Sequence, residues 1–128
     1  VTGASTGIGM SSDYATIKYD RNSTQLWVAR YDGPGHSYDS ASAIAVDPTG
    51  DVYVTGASTG IGMSSDYATI KYDRNGTQLW VATYNGLANS SDSASAIATD
   101  PTGDVYITGW STGIGTDFDY ATIKYGKQ

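Results

Sequence analysis

The run Tyr67–Asp73 (YATIKYD) sets Ala68, Ile70 and Tyr72 on one side of an extended chain and Tyr67, Thr69 and Lys71 on the other. A period of two predicts a β-strand with two different faces. Three more runs of this kind accompany it. Ser42–Asp47 (SAIAVD) is mostly apolar, which predicts a strand covered on both faces. Asp51–Gly56 (DVYVTG) follows it after Pro48-Thr49-Gly50, and Gln78–Tyr84 (QLWVATY) carries Trp80. Apolar residues recur nowhere at helical spacing over three turns, so no helix is predicted. The breaks between runs have turn chemistry. In Asp47-Pro48-Thr49-Gly50-Asp51 the proline sets φ at the first corner and the glycine accepts a positive φ; Asp73-Arg74-Asn75-Gly76 does the same between the third and fourth runs.

The whole pattern repeats. Val1–Tyr53 aligns with Val54–Tyr106 without a gap, and the copies differ only at positions 23, 30, 32, 34, 35, 36, 38 and 46. A partial third copy spans 107–128, so residues 1–128 read as one repeat segment without linkers. Four short antiparallel strands in each period of 53 residues predict an all-β fold of β-propeller blades. With strands lettered a to d from the hub outward, the chain reads b-c-d, a-b-c-d, a-b-c. This predicts an incomplete ring with open sheet edges, which favour pairing with other blades. Two expectations stand side by side: a stretch of a longer tandem array, or a chain that assembles with copies of itself.

Composition narrows the function. Seven Lys and Arg against thirteen Asp and Glu leave a net charge of −6, so there is no basic face for nucleic acid. There is no cysteine, which removes disulfides, thiolate metal sites and cysteine nucleophiles. No apolar run approaches the roughly 18–20 residues of a membrane helix, and no membrane insertion is expected. Sixteen glycines, eleven tyrosines and three tryptophans suit aromatic-rich β structure with many tight turns.

The strings A-S-A-I-A-V-D-P-T-G-D-V-Y-V-T-G and D-Y-A-T-I-K-Y-D-R-N-G-T-Q-L-W resemble the bacterial seven-bladed β-propeller (SBBP-type) repeat. That resemblance implies a disc of radially arranged blades, usually in secreted or surface proteins, with no reaction attached. Seven blades of this length need about 370 residues, and the chain has 128.

Several motifs mimic chemistry. Thr2-Gly3-Ala4-Ser5-Thr6-Gly7-Ile8-Gly9 resembles the nucleotide-binding turn of short-chain dehydrogenases, and Tyr14-Ala15-Thr16-Ile17-Lys18 resembles their YxxxK. That turn works by opening a helix in a βαβ unit, whereas here a strand pattern follows and the motif recurs at Thr55–Gly62 and Thr108–Gly115. It is read as a Gly-rich connection between strands b and c. Asp47/Asp51 and Asp73/Asn75 resemble partial calcium loops but supply too few oxygens, so they are read as turns that cap their own backbone. His36 is the sole histidine, with Asn89 at its counterpart, and forms neither a metal cluster nor a triad. The sequons at Asn22, Asn75 and Asn89 are read as chance in a Ser/Thr-rich chain. No catalytic residue, metal site or cofactor is predicted, and the chain is not expected to be an enzyme. Trp27, Trp80 and the tyrosines that recur in register are assigned to packing between blades.

The residues that do not recur are the candidates for recognition. Six of the eight differences fall within 30–38, the end of strand d and the d–a loop. In the third copy Met63-Ser64-Ser65 becomes Thr116-Asp117-Phe118 and Ala57 becomes Trp110. The d–a and b–c loops of a propeller emerge on one side, so His36, Tyr38, Asn89, Trp110 and Phe118 are expected at or near one variable face. Drift in tolerant loops and partner recognition both fit this pattern. The expected role is a non-catalytic structural or interaction module, extracellular or at the cell surface. Its partners would be copies of itself, further blades, or a protein or glycan ligand. The alternative is a lectin-like module that binds glycans through repeated weak sites.

Overall fold

The computed structural model describes residues 1–7 and 9–127. Ile8 of the first glycine motif and Gln128 of the third copy lie outside the described residues. Ten strands follow in order: β1 Thr2–Thr6, β2 Ser12–Tyr19, β3 Gln25–Tyr31, β4 Asp39–Val46, β5 Val52–Thr59, β6 Ser65–Tyr72, β7 Gln78–Tyr84, β8 Asp92–Thr99, β9 Val105–Thr112 and β10 Phe118–Tyr125. They form three antiparallel sheets, β1-β2-β3, β4-β5-β6-β7 and β8-β9-β10. This is the predicted b-c-d, a-b-c-d, a-b-c order, with no closed ring.

Strand β7 has its expected bounds, and the other runs shift. The b–c hairpin zips further than its polar residues suggest, with Ser58 paired to Asp66 and Thr59 to Ser65. Most of the glycine motif is therefore strand, and only residues 60–64 form the b–c connection. Gly56 is needed inside β5 because β4 bulges between Ala41 and Ala43, and a β-carbon at 56 would overlap the Ser40 carbonyl.

The expectation that strand a is covered on both faces does not hold. Ala41 is buried, but Ile44 and Val46 of β4 are exposed. The apolar run reflects a strand that lines the hub side, and no closed ring covers that side here.

The sheets stack face to face through two equivalent cores. Between the first and second sheets Tyr14 packs with Val52, Val54, Ala68, Ile70 and Tyr72, flanked by Trp27 and Tyr31. Between the second and third, Tyr53 and Tyr67 pack with Ala94, Val105 and Ile107, flanked by Trp80 and Tyr84. The Tyr14 hydroxyl donates to the Ala68 carbonyl at 3.2 Å, and Tyr67 donates to the Ala121 carbonyl at the same distance. Rings meet across each junction, Trp27 on Tyr72 and Trp80 on Tyr125. Tyr14, Tyr53, Tyr67, Tyr72, Trp27 and Trp80 are blade packing, as their register predicts, whereas Tyr19 and Tyr106, assigned to the same packing, are exposed on the uncovered faces of the first and third sheets.

Candidate interaction surfaces

The two ends of the blades differ in chemistry. At one end lie the a–b and c–d turns, built alike in each repeat. Asp47 Oδ1 accepts from the Thr49 amide at 2.9 Å, the Thr49 hydroxyl at 2.7 Å and the Asp51 amide at 3.0 Å. Asp73 Oδ1 accepts from the Asn75 and Thr77 amides, both at 2.8 Å. The Oδ1 of each is taken up by donors of its own turn, as the turn reading requires. Asp47 Oδ2 accepts from the Tyr53 hydroxyl at 3.3 Å, and Asp51, expected to cap its own backbone, pairs with Lys71 at 3.0 Å.

The other end carries the variable loops. The Gly35 amide of the first d–a loop donates to the Thr59 carbonyl at 3.1 Å, at the mouth of the second b–c loop. An open cleft of about 400 Å³ is lined by Pro34, by Gly60 and Ser64 of the b–c loop, and by Asn85 and Asn89 of the next d–a loop. The d–a and b–c loops thus share one side of the molecule.

His36 sits in the first d–a loop at φ 44°, with 79% of its side chain exposed, and its Nδ1 lies 2.6 Å from Asp32 Oδ2. That hydrogen bond and the carboxylate charge raise its pKa. Asn89 occupies the matching place at φ 47°, where Asn85 Nδ2 donates to its Oδ1 at 3.2 Å. Two of the differences between copies are therefore one exchange: an Asp–His pair for an Asn–Asn pair, with the bracing bond kept. Tyr38 is exposed, while its carbonyl accepts from the Thr59 amide at 3.2 Å and the Thr59 hydroxyl at 2.6 Å.

Trp110 and Phe118 belong to a different surface. Trp110 is inside β9, paired with Tyr120 of β10, and its ring meets Phe118 edge-on at 4.8 Å. By strand alternation all three side chains share the outer face of the third sheet. The matching face of the second sheet carries Tyr53 and Tyr67, both 1% exposed, whereas Tyr106 is 37% and Tyr120 is 95% exposed. Trp110 and Phe118 thus crown an uncovered blade face, and the five predicted residues fall into two groups. The first sheet has the converse open face. Ala15, Ile17 and Tyr19 are the counterparts of the buried Ala68, Ile70 and Tyr72, and an open cleft beside them is lined by Val1 and Val28.

One polar grouping escaped the sequence reading. A carboxylate oxygen from each of Asp13, Asp32 and Asp39 lies within 4.8 Å of the other two. These residues come from β2, the d–a loop and β4. Asp13 and Asp39 recur as Asp66 and Asp92, whereas Asp32 becomes Asn85, so recurrence marks only two of the three. Only the stacking of sheets brings them together.

No curated protein matches the chain. A family model described as a beta-propeller repeat, SBBP, matches residues 26–62 and 82–119, which together make up more than half of the chain. Each match runs from strand d of one blade through strand b of the next, across the junction where the loops and the carboxylates meet. With that coverage, the sheet order and the stacked cores, the chain belongs to the SBBP beta-propeller repeat family.

Proposed function

We propose that the chain is a non-catalytic structural and interaction module whose outer blade faces take up further blades of the same repeat. The observation that supports this is Tyr120, 95% exposed where Tyr14 and Tyr67 are 0% and 1% exposed. The outer face of the third sheet and the open face of the first sheet are the two halves of a contact the chain makes twice internally. Such a contact is heterologous, so repetition closes a ring or extends a fibre according to its angle. Trp110 and Phe118 belong to this docking function, and His36, Tyr38 and Asn89 to a variable rim that meets a protein partner. A cell-surface location fits the same reading, because rigid repeat surfaces with variable rims serve adhesion and assembly.

Light scattering on size-separated protein, with electron microscopy of the fractions, tests the docking. The 128-residue chain is expected to associate with itself in a concentration-dependent way. Tyr120→Asp is expected to abolish association while leaving the β-sheet circular dichroism unchanged. A folded chain that stays monomeric at every concentration overturns the proposal.

A further inference from the structure

The loop end of the first junction holds a buried carboxylate with an unpartnered oxygen. Asp39 is fully buried but satisfied: the Gly33 amide donates to its Oδ2 at 2.8 Å and the Thr59 amide to its Oδ1 at 3.0 Å. Asp13 is only 6% exposed, and its Oδ1 is sealed from solvent without a hydrogen-bond partner. Ser58 is 3% exposed, and its hydroxyl and Asp39 Oδ1 crowd the same side of Gly33. Among the described residues, the ion pair that reaches the cluster is the exposed His36 on Asp32. A buried carboxylate beside a second one demands compensation by a proton or a cation.

We propose that this junction binds a divalent cation of the calcium class through carboxylate oxygens of Asp13, Asp32 and Asp39. The donors are oxygens only, three of them formally charged, which suits a hard cation. They come from separate strands and a loop, so the shell is irregular, which calcium tolerates and magnesium does not. Asp32, 40% exposed, leaves a path for entry. A cation held there ties the first sheet to the second, because Asp13 belongs to one and Asp39 to the other.

The second junction supplies an internal comparison. Asp66 Oδ1 is again buried without a partner, and Asp92 repeats Asp39, but Asn85 replaces Asp32. With one formal charge fewer, this junction binds calcium more weakly.

Calorimetric titration of the 128-residue chain with calcium chloride, paired with thermal unfolding in calcium and in chelator, tests the assignment. One equivalent is expected to bind and to raise the unfolding temperature. Asp32→Asn, which copies the second junction at an exposed position, is expected to weaken binding about tenfold or more. Asn85→Asp is expected to add a second equivalent of similar affinity. A chain that unfolds at the same temperature with and without calcium overturns the proposal. Unchanged binding in Asp32→Asn, or no second equivalent in Asn85→Asp, overturns the three-carboxylate assignment.

Discussion

Tyr14 and Tyr72 bury the same ring and differ in what their hydroxyls meet. Tyr14 donates across the junction to Ala68, whereas the Tyr72 hydroxyl is sealed without a partner. Tyr14→Phe is therefore expected to cost about 1 kcal/mol, and Tyr72→Phe to be neutral or stabilising, in urea unfolding. Burial raises the pKa of Tyr72, and of Tyr67 with help from Asp92, each to about 12. In the unfolded chain these groups ionise near 10, so their contribution is complete below that value and is lost as pH rises toward 12. Alkaline unfolding should coincide with the tyrosinate absorbance step; ionisation of the buried rings in a still-folded chain would contradict it. Position 23/76 shows how context selects a residue. Both backbones have positive φ, 63° at Ser23 and 88° at Gly76. A β-carbon at 76 would lie 2.8 Å from Trp27 Cδ2, so glycine is required there sterically as well as conformationally. Gly76→Ser is expected to cost roughly 2–3 kcal/mol, and Ser23→Gly to gain about 0.5 kcal/mol after the entropy of the unfolded glycine is counted. The strain at Ser23 was visible in the sequence as a broken D-R-N-G turn; the Trp27 contact, 49 positions away, was not.

At the scale of elements, turns and hairpins are local, and so they could be read directly. Proline, glycine and aspartate set the corners, and period-two runs set the strands between them. The Asp residues of these turns also carry an acid sensitivity. Burial pushes Asp47 up, but the Thr49 hydroxyl and the Asp51 and Thr49 amides outweigh it and hold the carboxyl below its usual range. Amides of the 73–77 turn lower Asp73, led by Thr77, and the Thr102 hydroxyl leads the groups that hold Asp100 at about 2. Carboxyls depressed in the folded state stabilise it above their unfolded pKa near 4, and the benefit disappears as pH falls through the folded values. Stability should therefore decline between about pH 4 and 2, and Asp47→Asn should flatten that decline in urea titrations across this range. Strand ends were harder to read. Residues 57–59 and 65–66 are small or polar residues that lie beyond the predicted strand ends, yet pairing across the hairpin keeps them in the ladder.

For the whole molecule, position in the stack governs exposure more than residue type does. Strand β6 is buried along most of its length, while β10, which shares its sequence from Asp66/Asp119 to Tyr72/Tyr125, is largely exposed. Amide exchange is expected to be slowest in β5 and β6 and fastest in β10, and association through the outer face should slow exchange at Tyr120 selectively. Equal protection of β6 and β10 in the monomer would refute this ordering. By itself the sequence determined the all-β class, the repeat, the order of ten strands, the turn chemistry and the shared side of the variable loops. These depend on neighbours within one hairpin or on strict recurrence, and both are local in the chain. Tertiary structure alone decided that Trp110 and Phe118 crown an open blade face, that β4 is half uncovered, and that Asp13, Asp32 and Asp39 converge. Those outcomes depend on which surface of one sheet meets the next, and a repeated sequence carries the same residues whether or not a neighbour is there to cover them.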